Sequence, residues 1–246
     1  MNKQKMIFGA ITIILFLLVV VEPAIAGPGG KIASAVFETF WGKVILGVLT
    51  IIFLPLIAYI ILREKIAERR TRKDLRFMAA YSPVFELLKI QERAKDCFFR
   101  VHSGWEKEDL SEVSSWMTNW YWQNQQQVHL DRWMREGLVN ICHVKKINYI
   151  KPLLFIHRNQ GKEHEDSMVV LSIEANMQDY LQNRTTKEIV EGSKRYKDVE
   201  TVWSFTLEDG IWKVSDIDEA AMSLAFAKMT SDLPDIASTV VSELKA

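Results

Sequence analysis

The sequence predicts an α+β fold in which helices pack on a curved antiparallel sheet, carried behind an amino-terminal membrane region. Three observations predict it. Residues 44–62 run for about nineteen positions without a charge, roughly enough for a helix to cross a bilayer. Apolar residues then recur at three- and four-residue steps between Ser82 and Gly137, the signature of amphipathic helices. From Leu138 to Ile217 the texture changes to β-branched and aromatic residues in partial alternation, which reads as strands.

Residues 1–26 carry Lys3 and Lys5, an apolar run and then Ala24-Ile25-Ala26, the order of a signal peptide; the alternative is an uncleaved first membrane helix. Residues 27–43 form a short extracytoplasmic segment, in which Ile32, Val36, Phe37 and Phe40 suit an interfacial helix or the frayed start of the span. Residues 44–62 are the transmembrane helix, with Pro55 inside it and Trp41 and Tyr59 near its ends. Residues 63–81 follow as a basic juxtamembrane helix or linker, in which Arg63, Lys65, Arg69, Arg70, Arg72 and Lys73 are candidates to lie against anionic headgroups. Lys and Arg retained beside a span mark its cytoplasmic side, so the protein is expected in the cytoplasmic (inner) membrane of a bacterium, single-pass after signal cleavage, with its carboxy-terminal domain in the cytoplasm.

Residues 82–218 make the soluble domain. Ser82-Pro83 is a helix start, and Val84, Leu87, Leu88, Ala94, Cys97, Phe98 and Val101 line one face of a helix expected to end before Gly104. A second helical stretch covers 110–117, and a third covers 118–136 and closes at Gly137. Strands are expected over 138–157, 168–180, 197–207 and 211–217. Asp209-Gly210 between alternating runs is a strong hairpin signal, while 159–165 and 183–195 read as polar loops. Residues 219–246 read as a mildly helical, mobile tail broken at Pro234.

The 246 residues have a formal net charge of zero, and the basic block is local to the membrane flank, so no nucleic-acid partner is expected. Cys97 and Cys142 lie far apart without a C-x-x-C pattern and read as buried thiols. No G-x-S-x-G, phosphate-binding loop or zinc-knuckle pattern occurs, so no catalytic set, metal or cofactor is expected. His129-x-Asp131 places its two residues on different sides of a helix, because neighbours on a helix face lie three or four apart. His143 and His157 fall on strands and are the candidate bases if the sheet encloses a cavity.

The sharper stretch is 116–133. Trp116, Trp120 and Trp133 can share one helix face while Tyr121 and Trp122 point elsewhere, so the aromatics either all enter the core or leave some for a partner groove. With Trp105 these are the candidate partner- or cavity-binding residues.

Residues 75–219 resemble the bacterial Tim-forty-four-like (Tim44-like) domain, a branch of the nuclear-transport-factor-two-like, cystatin-like cone superfamily. The resemblance rests on Ala94 and Phe98 in the opening helix, Trp105 before Asp109-Leu110, the helix ending at Gly137, and the closing pattern Trp203-x-Phe205 with Trp212-Lys213-Val214-x-x-Ile217. It implies a non-enzymatic domain held at a membrane, whose partners are the lipid bilayer and a membrane protein complex or client polypeptide, with a homo-oligomer as a further option. A small-ligand carrier or acid/base enzyme using the cone cavity is the alternative.

Overall fold

The computed structural model describes residues 40–158 and 163–243. The signal segment, the Gly/Pro loop with most of the interfacial helix, and part of the 159–165 loop lie outside the described residues. The chain forms two units, Met1–Ile61 and Leu62–Ala246.

In the first unit the described residues belong to helix α1 (Phe40–Ala79). Ile45, Ile52, Leu54 and Leu56 are exposed there. Among the described residues α1 is the one helix long and apolar enough to cross a membrane, which makes it a candidate membrane anchor. The Thr50 hydroxyl donates back to the Leu46 carbonyl at 2.8 Å, so a polar side chain in this apolar stretch is satisfied within its own helix.

The second unit begins inside α1. After it come a 3-10 turn (Pro83–Phe85), helix α2 (Leu87–Lys107), a 3-10 turn (Ser111–Trp116) and helix α3 (Asn119–Gln125). A π turn (Gln126–Leu130) and helix α4 (Asp131–Arg135) complete this half. Strands β1 (Leu138–Ile156), β2 (Met168–Asn183), β3 (Ile189–Glu208) and β4 (Ile211–Glu219) then form one antiparallel sheet in the order β1-β2-β3-β4. Helices α5 (Ser223–Asp232) and α6 (Ile236–Glu243) follow.

The two faces of the sheet follow from the period of two along each strand. On β2, Val169, Leu171, Ile173, Ala175 and Met177 point to one face, where Trp203, Phe205 and Leu207 of β3 join them. Registered pairs such as Leu171↔Trp203 and Val169↔Phe205 put large apolar side chains directly opposite one another. Helix α2 lays Ile90, Ala94, Cys97, Phe98 and Val101 on that face, and this is the main core. The opposite face carries a smaller cluster of Leu153, Leu154, Val170 and Val202, covered by Phe226 and Leu233. Each fully buried Leu or Phe contributes about 1.5–3 kcal/mol, so the helix-bearing face holds most of the stability.

Several boundaries differ from the sequence reading. Pro83 starts only a 3-10 turn because Glu86 is extended (φ −61°, ψ 117°), and α2 begins after it. α2 runs past Gly104 to Lys107 and stops at Glu108, which is left-handed (φ 62°). The helix expected over 118–136 contains a π turn at Gln126, whose side chain accepts from the Leu110 amide (2.9 Å) and donates to Asp131 (2.8 Å). The Gln126 side chain thereby pins the turn after α2.

The 183–195 loop shrinks to a tight turn. The Asn183 carboxamide oxygen accepts from the amides of Thr185 (2.9 Å) and Thr186 (3.0 Å), and the chain re-enters the sheet at Ile189. The hairpin at Asp209-Gly210 forms as expected, with φ of 51° and 75° at the two turn residues.

Within the segment expected as a mobile tail, the described residues 219–243 are packed instead. The Thr230 hydroxyl donates to the buried Leu153 carbonyl at 2.7 Å, and Ile236 and Val240 enter the main core. The apolar back of the sheet requires a cover, and α5 supplies it. Residues 62–79 of α1 are likewise part of the fold, with Leu75 and Met78 fully buried and Glu64 accepting from the Ser223 hydroxyl.

Candidate functional site

At the end of the sheet near the β2–β3 turn, the helices and strands diverge and leave an open cleft of about 430 Å³. One wall is aromatic. Trp105, from the last turn of α2, meets Trp133 of α4 edge to face with ring centroids 5.9 Å apart, and His129 stacks on Trp105 at 6.1 Å. Burial, with Arg132 adding to it, pulls the His129 pKa below its ordinary value, so the stacked ring is neutral near pH 7. The Trp105 indole N–H is buried and has no acceptor among the described residues.

The other wall comes from the sheet: Asn140 of β1, Asp179, Tyr180 and Leu181 of β2, and Glu191, Gly192, Lys197 and Val199 of β3. Asn140 and Leu181 are buried, whereas Asp179, Glu191 and Lys197 are exposed at the rim. With its carboxamide turned, Asn140 donates to the Tyr180 carbonyl at 3.2 Å and the Asp179 carboxylate at 3.3 Å, which ties the floor to the rim. The result is an aromatic and apolar floor with a charged edge, the anatomy of a contact surface.

A large bulge shapes this rim. Between the pairs Met177↔Lys197 and Asp179↔Ser193, β2 advances two residues while β3 advances four, so Lys194, Arg195 and Tyr196 bow away from β2. Gly192 (φ 82°) then returns β3 to its partner, so close that a Cβ on it would stand 2.3 Å from the Asp179 carbonyl oxygen. Below the cleft the Arg184 guanidinium pairs with Glu108, joining the β2–β3 turn to the end of α2.

The sequence-derived candidates separate. Trp105 and Trp133 come together in the cleft. Tyr121 is core, at 2% exposure, and burial raises its phenol well above the usual range. Trp122 is half-buried against the core and donates to the Asn119 side chain at 3.2 Å. Trp116 carries the guanidiniums of Arg93 (3.6 Å) and Arg100 (4.2 Å) over its ring. Trp120 stands in solvent, 70% exposed.

Neither strand histidine lines this cleft. His143 is exposed and its Nδ1 lies 3.3 Å from Glu106, a surface pair of little energetic weight. His157 lies toward the other end of β1, with its Nε2 3.1 Å from Nδ1 of His164 and both rings edge-on to Phe85. Both thiols are buried, and burial raises the Cys97 pKa to about 12 and pushes Cys142 further up. Among the described residues no cluster of three metal-ligating side chains occurs.

The basic flank is also divided. Arg70 donates to the Leu233 carbonyl and, at 2.9 Å, to the Pro234 carbonyl at the end of α5; Arg72 donates to Glu68 at 2.9 Å. Lys65, Arg69 and Lys73 are exposed.

Comparison with protein families matches the Tim44-like domain over residues 71–219, more than half of the chain. The chain belongs to the Tim44-like domain family. The matched span runs from the buried Thr71 through β4, so it contains the cleft and both faces of the sheet. Among solved structures, the intermembrane space region of chloroplast protein ARC6 is similar at a TM-score of 0.38 and 9% identity, covering 51% of this chain and 92% of that one. Comparison with curated protein sequences finds no match.

Sequence reasoning missed the rim of this Tim44-like cleft. Asp179 was visible as a polar break in the alternation of β2, and Gly192 as a glycine in a polar stretch, but that stretch reads as a loop until its pairing with β2 is known.

Proposed function

We propose that this Tim44-like protein is a membrane-anchored, non-enzymatic binding domain that engages a membrane protein complex or client polypeptide at the cytoplasmic face of a bacterial inner membrane. The observation that carries this reading is the open cleft, where two tryptophans and a buried floor are ringed by exposed charge on a rigid sheet. Trp-rich, concave, charge-rimmed surfaces suit capture of a polypeptide segment. The candidate anchor in α1 and the exposed cations Lys65, Arg69 and Lys73 support a domain tethered at a membrane with anionic headgroups. The four-stranded sheet packed on α2 is read as the cone of the nuclear-transport-factor-two-like superfamily.

A photocrosslinking amino acid placed at Glu191 or Lys197 in the full-length protein, in intact cells, tests the reading. Reproducible crosslinks from these rim positions to one membrane complex or a set of client chains, absent from the same probe at Lys228 on α5, are the expected result. Equal labelling from all three positions overturns the cleft as the contact surface. A carboxy-terminal alkaline phosphatase fusion that is active overturns the cytoplasmic placement.

A further inference from the structure

The lining of the cleft specifies more than a polypeptide. Its lining holds two carboxylates, Asp179 and Glu191, and one ammonium, Lys197, together with the aromatic corner of Trp105 and Trp133. An indole face attracts cations through its quadrupole, and a carboxylate pair on the open side gives the cation a hydrogen-bonding partner. Of the cations around the cleft, Lys197 is the one in its lining; Lys194 lies 5.7 Å from the Tyr180 ring centroid outside it, and the Arg184 guanidinium is paired with Glu108.

This chain already displays the contact in question. The Arg93 guanidinium lies 3.6 Å from the centroid of Trp116 with Arg100 on the ring at 4.2 Å. A planar guanidinium can stack on one indole and present its N–H edge to a carboxylate at the same time, which an ammonium cannot do. A phosphate-bearing headgroup would bring its negative charge against the two rim carboxylates.

We propose that the cleft recognises an arginine side chain of a partner polypeptide, the guanidinium resting on the Trp105/Trp133 corner and donating to Asp179 and Glu191. This rests on the cleft being the contact surface proposed above.

The test uses the full-length protein in detergent micelles, labelled with 5-fluorotryptophan, with the Trp105 and Trp133 fluorine resonances assigned from Trp→Phe variants. The probes are N-acetyl-Gly-Arg-Gly-amide and the same peptide with citrulline, which keeps the shape and removes the charge. The arginine peptide should shift both resonances saturably, with a Kd of about 1 mM or tighter, and citrulline should bind at least ~10-fold more weakly. Asp179→Asn and Glu191→Gln, both at the exposed rim, should each weaken the arginine peptide by ~3–10-fold while leaving the remaining tryptophan resonances in place. Equal response to citrulline, insensitivity to both rim substitutions, or no saturable shift overturns the proposal. A stronger response to phosphocholine than to the arginine peptide overturns it in favour of a headgroup. If the peptide fails but rim crosslinks still capture one partner, only the arginine assignment falls; if both fail, the contact-surface reading falls with it.

Discussion

Gly192 stands so close to Asp179 that the space for a side chain on one is occupied by the main chain of the other: a Cβ would lie 2.3 Å from the Asp179 carbonyl oxygen and 2.7 Å from the Tyr180 Cα. Backbone occupies that space, so the contact cannot be relieved by rotating a side chain. Gly192→Ala therefore has to open the β2–β3 pairing at the cleft in addition to straining a residue at φ 82°. Gly210→Ala meets nothing within 4 Å and carries only the cost of its left-handed φ of 75°. Thermal unfolding of the full-length protein should show a loss of about 1–2 kcal/mol for Gly210→Ala and a clearly larger one for Gly192→Ala. Equal losses would mean the sheet end yields freely.

Aromatic residues that look equivalent in the sequence should separate by burial. Trp203 is fully buried at the centre of the main core, and Trp203→Ala should cost about 3–5 kcal/mol in urea unfolding. Trp120 is 70% exposed, and Trp120→Ala should change stability by no more than about 0.5 kcal/mol. A large loss at Trp120 would contradict its placement.

His102 predicts a pH dependence. Its ring lies tilted against Phe98 at 4.2 Å and 5.7 Å from Trp203, its Nδ1 is 2.7 Å from the Phe98 carbonyl, and burial lowers its pKa below the ordinary 6.5. The unfolded chain takes up a proton as pH falls through about 6.5 while the folded chain does not, so stability from the neutral ring is complete above that pH and lost below it. The wild type should lose more stability between pH 7.5 and 5.5 than His102→Gln, as measured by urea midpoints; parallel slopes would exclude His102 as the source.

The thiols give a simple exposure test. Cys97, its pKa raised to about 12, and Cys142, raised further, are buried and protonated at neutral pH, so neither should react with iodoacetamide until denaturant is added. Rapid modification of one thiol in the native protein would show that its part of the core opens.

The packed carboxy-terminal helices predict that their loss is costly. Thr230→Val removes the hydroxyl that reaches the buried Leu153 carbonyl and leaves that oxygen short of a partner, at a cost of about 1–3 kcal/mol. Truncation after Glu219 uncovers Leu154, Val170 and Val202, so the truncated protein should bind an apolar dye more strongly than the full chain; equal binding would contradict the cover.

The sequence by itself determined what depends on neighbours along the chain. The apolar run of α1, the Ile90-Ala94-Cys97-Phe98-Val101 stripe of α2, the alternation of β2 and the Asp209-Gly210 turn are each local patterns with a period of 3.6, a period of 2 or a positive φ behind them. The tertiary structure decided what depends on distant segments meeting. Whether Trp122 or Trp105 faces a cleft is set by which elements cover each helix face. Whether residues 189–195 are loop or strand is set by the partner that β2 offers. Helix α5 packs because the far face of the sheet is apolar at Leu154, Val170 and Val202 and needs cover. The cleft draws on α2, α4 and three strands, and no stretch of sequence contains enough of it to be seen before the chain has folded.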